Sequence, residues 1–597
     1  MDRRSALQRI GGLGLGALLG SIRRSADASS ASRPNILFIM TDDHAAHALS
    51  CYGSRINQTP NLDRIADEGI RFENAFVTNS LCAPTRATML TGKYAHKHGK
   101  IDNRGRNPFN IDQPIFPRML RAAGYQTAML GKWHLRADPE GFDYWNRLPG
   151  QGRYFSPTFI EGTDEGRIGQ QQYDGYVTDL ITDFTIDQLE EYQDTDQPFC
   201  IFSWHKAPHR GFQPDDEHDD LYDNYDVPEP ETLFDDYEDR ASPAEAANMR
   251  LFEGPFRFEG NFPSSYSDHE KEQVAYQRFI KDYLGTIASM DDNVGRLLDH
   301  LDETGLADDT LVIYTTDNGF FLGDHGWLDK RFMYEESLRI PLMVRYPGTI
   351  PAGIVEDRIA LDIDMAETFL DYADVSVPDD MQGRSLRPLL EGRRAPDWRN
   401  SMYYHFYENY GPHNVAAHVG VRDHRYKLIH YYRRGNQVTG SNMSAWELFD
   451  LEEDPHEMHN VYDDPAYSGV AESMKQELRR LRRRYDDRGP ALGGESVEAE
   501  EPPAPSEFEV HPSHPNPFHK ATTITVDVPE ATKIRATVYD VMGRRVETLR
   551  SGRAQPGQLR LRWDGTNASG EPVASGVYLC RVEANGAVTT RKVTLAR

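Results

Sequence analysis

The continuous apolar run Asn35-Ile36-Leu37-Phe38-Ile39-Met40 breaks off abruptly into Thr41-Asp42-Asp43. It is far too short to cross a membrane, and it is apolar on both faces of an extended chain. Such a segment has one comfortable place, a central strand of a parallel sheet covered on both sides. Phe199–Trp204, Thr310–Thr315 and Leu342–Tyr346 repeat the pattern, and the helical stretch Tyr276–Glu303 lies between two of them. A short helix is also expected from Thr59 as N-cap and Pro60 at N1, closed by Gly69. Strands alternating with helices predict an α/β domain around a parallel sheet. In such sheets ligands bind beyond the carboxyl ends of the strands. Two of those ends are acidic here: Met40 leads into Asp42-Asp43, and Tyr314 into Asp317-Asn318.

Around this domain the chain changes texture several times. Residues 1–32 read as a signal peptide, with Arg3-Arg4, the short apolar Ile10–Gly20 and the small-residue Ala26-Asp27-Ala28. The arginine pair suggests twin-arginine export, with the general secretory route as the alternative. The mature protein is therefore expected to be secreted, periplasmic or on the cell surface. No later run has the ~18 apolar residues of a transmembrane helix. Residues 33–375 form the α/β domain. Residues 376–488, with strands at His424–Tyr432 and Trp446–Leu451 and a basic helix at Ser468–Tyr485, form a smaller α+β subdomain. The Gly-, Pro- and Glu-rich 489–510 is a linker. Residues 511–597, with alternating Thr523–Val528 and Ile534–Tyr539 and the turn Trp563-Asp564-Gly565, predict a β-sandwich. That last stretch resembles the C-terminal sorting modules of secreted Bacteroidetes-type proteins; an Ig-like binding domain is the alternative. Lys and Arg total 66 against 94 Asp and Glu, a net charge of −28, which excludes nucleic acid and anionic membrane as bulk partners. An anionic substrate needs local positive charge inside so acidic a chain.

Of the four cysteines, Cys51, Cys200 and Cys580 read as small buried apolar residues. Cys82 opens Cys82-Ala83-Pro84-Thr85-Arg86, with Leu90-Thr91-Gly92 downstream. This pattern resembles the maturation sequence of type I, formylglycine-dependent sulfatases of the alkaline-phosphatase-like superfamily, and the resemblance runs in block order from about Pro34 to about Asn460. It implies that a maturation enzyme oxidises Cys82 to formylglycine, whose hydrate attacks sulfur with one hydroxyl and expels sulfate with the other. It further implies an alkaline-phosphatase-like mixed sheet flanked by helices.

The same resemblance implies the other roles. Asp42, Asp43, Asp317 and Asn318, with position 82, would bind a divalent cation through oxygen, calcium first and magnesium second. Gly131-Lys132-Trp133-His134 supplies Lys132 for the sulfate oxygens and His134 as the base that collapses the intermediate. His205-Lys206-Ala207-Pro208-His209 assigns His209 to the leaving oxygen, with His205 left as a core histidine or a supporting one. Lys330 shares leaving-group activation with His209, and Arg86 is expected to hold the diol through hydrogen bonds. The implied substrate is a sulfate monoester. Secretion and the Tyr- and Asp-rich insertion Asp215–Tyr237 favour a sulfated glycan, glucosamine- or uronate-containing, over an aryl or choline ester. A formylglycine phosphonate or phosphate monoester hydrolase and an inactive glycan-binding surface protein are the alternative readings.

Overall fold

The computed structural model describes residues 33–103, 108–252, 262–408, 411–432, 444–488, 508–513, 516–519, 521–529, 531–554, 557–584 and 587–596. The proposed signal peptide and most of the linker lie outside them. The chain divides into two compact units, Met1–Pro490 and Ala491–Arg597.

The first unit is built on a 10-stranded sheet. Its centre comprises β1 (Asn35–Thr41), β2 (Gln126–Lys132), β3 (Tyr144–Leu148), β4 (Phe199–Trp204) and β5 (Thr310–Thr316), in the spatial order β5-β1-β4-β2-β3 and all parallel. The apolar run sits where its composition demands. Leu37 and Ile39 point to one cluster with Met290, Leu297 and Leu298, while Phe38 points to the other with Phe202, Trp204 and Phe369. Each such side chain removed from water contributes about 1.5–3 kcal/mol. The sheet is mixed, as the family resemblance implies, with antiparallel strands on both sides of the parallel centre. β6 (Leu342–Arg345) runs antiparallel to β5, and Thr158–Thr163 and Gly166–Gln172 form an antiparallel extension of β3. β6 is itself an inner strand, paired on its other side with Ile70–Phe72, and only the extension beyond β3 reaches an edge by hairpin returns.

α1 (Cys82–Thr91) begins at Cys82 itself, and one helix departs from its expected bounds. α2 (Asp268–Thr304) starts eight residues before Tyr276 because Ser267 and Glu270 form a reciprocal cap: the Glu270 N–H donates to Ser267 Oγ at 3.2 Å and the Ser267 N–H donates to Glu270 Oε2 at 2.7 Å. Thr59 does precede Pro60, yet its hydroxyl bonds to Ser50 and Asp63 rather than capping its own helix.

Four antiparallel strands, β7 (Ser401–Phe406), β8 (His418–Asp423), β9 (Tyr426–Tyr432) and β10 (Ser444–Asp450), with α3 (Ser468–Arg484), form the smaller α+β layer. In the second unit a three-stranded and a four-stranded antiparallel sheet enclose one apolar cluster containing Phe518, Ile524, Val538, Trp563 and Cys580. Glu509–Val510, expected as linker, is already a strand of the smaller sheet.

The sheet comes together closely at Gly131, whose φ is +100° and where an added Cβ would lie 2.1 Å from the Trp204 carbonyl oxygen. Gly131→Ala is expected to destabilise the protein by at least about 2 kcal/mol. An unchanged urea midpoint would show that β2 and β4 can separate there without cost.

Candidate active site

All the parallel strands deliver their carboxyl ends to one edge, and four of them arm it. β1 runs into Asp42 and Asp43, β5 into Asp317 and Asn318, β2 ends on Lys132 and leads to His134, and β4 leads through His205 to His209. α1 adds Cys82 from its first turn, where unpaired N–H groups give the helix end a partial positive charge. The backbone there is fixed by Asn103, whose Oδ1 accepts the Ala83 N–H at 2.9 Å, and by the Thr85 hydroxyl donating to the Asn79 carbonyl at 2.8 Å.

Ligand atoms of Asp42, Asp43, Cys82 and Asp317 all lie within 4.8 Å of one another and are buried. Cys82 Sγ is 3.4 Å from Asp42 Oδ1 and 3.6 Å from Lys330 Nζ. Asp43 takes a left-handed φ of 64°, and its carbonyl accepts the Tyr283 hydroxyl at 2.8 Å. Asn318 donates from Nδ2 to Asp43 Oδ1 at 2.5 Å, while its Oδ1 is buried and accepts nothing. Three carboxylates packed together in a dry interior repel strongly unless cations intervene. An amide oxygen free beside them completes a donor set of hard oxygens, so these residues fit a divalent cation of the calcium or magnesium kind.

The protein's own cations converge on the same point. Lys132 pairs with Asp42, and Lys330 pairs with Asp43. Burial alone would lower Lys330, but Asp43, Cys82 and Asp329 together raise it above the ordinary lysine range, so it stays charged. Arg86 is tied to the same acidic cluster beside the unmodified Cys82. Its Nε donates to Asp317 Oδ2 at 2.8 Å and its Nη2 to Asp42 Oδ2 at 3.4 Å, with the guanidinium 5.1 Å above the Trp204 ring. Its Nη1 donates to the Lys132 carbonyl, so its hydrogen bonds go to that carbonyl and to the two carboxylates flanking position 82.

The thiol itself is a poor nucleophile in this place. Burial, reinforced by the charges of Asp317 and Asp43, pushes Cys82 far above the usual thiol range, so it carries no thiolate at neutral pH. His134 and His209 are pushed the other way. Burial, and the neighbouring Lys132 above all, hold both well below the usual histidine range. His209 Nε2 faces Asp43 Oδ2 at 3.7 Å, and His134 Nε2 lies 3.4 Å from Gln151 Nε2 with no hydrogen bond to Cys82. His205 lies in the core against Ser203 Oγ at 3.0 Å.

Two features escaped sequence reasoning. Lys206 is 3% exposed, donates to the Arg210 carbonyl at 3.2 Å and stands 4.5 Å over the Tyr154 ring; burial brings it down to about 8. Asp329 and Arg331 flank Lys330 with φ of 103° and 95°, a strained conformation on both sides of one lysine. Asp329 Oδ2 meets His413 Nε2 at 2.9 Å and Arg210 Nη2 at 3.3 Å. Lys206 stood inside a block already singled out. His413 had no such signal, because it reaches the site from the loop after β7.

Known proteins resemble this chain along most of its length. A family model described as Sulfatase matches residues 34–375, one described as N-sulphoglucosamine sulphohydrolase, C-terminal, matches 323–484, and one described as FlgD Ig-like domain matches 516–587. An N-acetylglucosamine-6-O-sulfatase of Bacteroides thetaiotaomicron is 42% identical over 77% of this chain and 88% of its own length. A human N-acetylglucosamine-6-sulfatase is 28% identical over 63% of this chain and 67% of its own. A solved structure in complex with its substrate D-glucosamine-2-N,6-O-disulfate superposes with a TM-score of 0.71 at 40% identity, covering 78% of this chain and all of that one. With the first model spanning more than half of the chain and the bacterial relative aligned over most of its length, the chain belongs to the sulfatase family and is a sulfate-ester hydrolase.

Proposed function

We propose that this sulfatase removes 6-O-sulfate from glucosamine residues of a sulfated glycosaminoglycan, outside the cytoplasm, with Cys82 converted to formylglycine and a calcium ion in the acidic cluster. Support for the chemistry comes from one observation above the others: the sulfur of Cys82 stands in contact distance of both Asp42 and Lys330, in surroundings that deny it thiolate character. Support for the substrate comes from the named activity of the 42% identical relative and from the glucosamine disulfate bound in the similar structure.

In this reading Asp42, Asp43, Asp317 and Asn318 hold the cation, with magnesium the alternative. The cation and the hydrated aldehyde, once present, supply Lewis acidity and the attacking oxygen. The rest falls to the chain's own residues. Arg86 locks Asp42 and Asp317 in place. Lys132 and Lys330 set positive charge against the sulfate oxygens, where charge accumulates as sulfur is attacked. His209, held neutral, donates its N–H toward the departing sugar oxygen, with Lys330 beside it. His134 takes the proton when sulfate is released. Asp329, Arg331 and His413, on the far side of Lys330, meet the sugar hydroxyls. Residues 33–375 and 376–488 together make the enzyme, and 511–597 serves export or attachment; among the described residues no helix is long and apolar enough to cross a membrane.

Two measurements test this. The tryptic peptide Phe72–Arg86 from the native host is expected to weigh about 18 Da less than its cysteine form, the mark of formylglycine. The mature protein is expected to release sulfate from glucosamine 6-O-sulfate at least about 10²-fold faster than from a 2-O-sulfated uronate or a phosphonate monoester. An unmodified cysteine in active enzyme defeats the first claim. Equal rates across that panel defeat the second.

A further inference from the structure

Away from the reaction centre, β9 and β10 pair so that His430 lies opposite Trp446, and their rings stack at 4.2 Å. Trp446 and Tyr462 are parallel to within 3°, with centroids 5.6 Å apart. Over them α3 places Lys475, whose Nζ is 5.1 Å from the Trp446 centroid and 4.7 Å from that of Tyr462. On the same helix Arg479 reaches Glu472 and Arg480 reaches Glu477. Lys475 has no carboxylate within ion-pair distance among the described residues. A cation seated on ring faces is held by the ring electrons and keeps its N–H donors for another partner. Seven residues further along the same helix, Arg482 lies on the same face as Lys475. Burial, Arg482 and Lys475 hold His430 down to about 4.

The simplest explanation of basic residues late in a helix is the helix dipole, and it serves for Arg482, Arg483 and Arg484 in the last turn. It does not reach Lys475, which lies more than two turns earlier. Nor does general surface charge explain it, because the chain as a whole carries −28. From these observations we propose that Lys475, held on Trp446 and Tyr462, forms with Arg482 a second binding site for sulfate groups of the glycan, remote from the ester being cleaved. The inference rests on the glycan reading above. Trp446 is in register with His405 of β7, three strands away and about 14 Å across the sheet, on the face opposite Tyr404, whose hydroxyl donates to the Arg331 carbonyl at 2.7 Å. The patch is thus remote from the ester, and only a chain of several sugars, not a monosaccharide, would meet both.

The test compares Lys475→Met and Arg482→Gln with the parent chain, measuring calorimetric binding of a heparin-type octasaccharide and of its desulfated form in a Cys82→Ala background. Turnover of glucosamine 6-O-sulfate is followed in parallel with Cys82 intact. Each variant is expected to bind the sulfated octasaccharide at least about 5-fold more weakly, with monosaccharide turnover and unfolding midpoint unchanged. Unchanged octasaccharide affinity overturns the inference, as does an equal loss on the monosaccharide. If the parent cleaves and binds the chain but the variants match it, only this site fails. If the parent binds no sulfated octasaccharide while still cleaving aryl sulfates, the glycan reading fails and the site with it. Weakened binding to single-stranded DNA or anionic vesicles, without weakened octasaccharide binding, assigns the patch to another polyanion and also overturns it.

Discussion

Cys82→Ala is expected to lower sulfatase turnover by at least about 10⁴-fold while moving stability by about 1 kcal/mol or less. The two halves of that expectation have separate causes. The side chain is small and fully buried, so its loss leaves only a sulfur-sized void, and the void opens among carboxylates that gain from the extra room. The neighbours of position 82 are arranged for an attacking oxygen and have no alternative to offer: Lys132 and Arg86 are engaged with carboxylates, and His134 makes no bond to Cys82. Steady-state rates on an aryl sulfate and a thermal scan decide it. Retention of more than about one per cent of turnover by a correctly folded variant would mean that the nucleophile lies elsewhere.

The second large effect concerns the cation. Dialysis against a chelator is expected to abolish turnover and lower the unfolding midpoint. Calcium restored at a hundred times its dissociation constant should return about 2.7 kcal/mol. The sign follows from Asp42, Asp43 and Asp317, which are buried within reach of one another. A bound divalent ion favours the folded state, because only there do these oxygens converge. Asp317→Asn should remove most of the calcium-dependent shift, and it should do so in a protein that still folds. Comparing calcium with magnesium at equal concentration then identifies the resident ion, since the larger cation tolerates an irregular oxygen shell better. Identical midpoints with chelator and with either metal would sink the assignment.

The strands that carry the site were readable because being buried on both faces leaves no polar positions, and because each such run ends in residues that would be costly anywhere but a strand end. β1 and β5 therefore declared themselves along with Asp42, Asp43, Asp317 and Asn318. Edge strands gave no comparable signal. Gly166–Gln172 is exposed along its whole length and has no apolar side to show. The first two turns of α2 are nearly all polar, so only the Ser267–Glu270 cap marked its beginning. In the site, spacing put Arg86 one turn beyond Cys82. Which atoms it would bond depended on where two strands 275 residues apart bring their carboxylates, and periodicity carries no such information. The same is true of Asp329, Arg331 and His413. Each looks like an ordinary surface residue until a loop from the antiparallel layer closes on Lys330.

Cys82 has no solvent exposure in the folded chain, being closed in by strand ends from both sides of the sequence. If, as proposed, an enzyme oxidises it to formylglycine, that enzyme is in a race. β1 emerges from the ribosome long before its partner β5, and their parallel pairing is a long-range contact of the kind that forms slowly. Synthesis at about 5–20 residues per second leaves on the order of ten to fifty seconds between the emergence of Cys82 and of Thr310. On that reading, the fraction of molecules that become active is set by the ratio of two rates, oxidation and closure. An expression host that translates quickly and oxidises slowly will accumulate protein that is soluble, correctly folded and permanently inert.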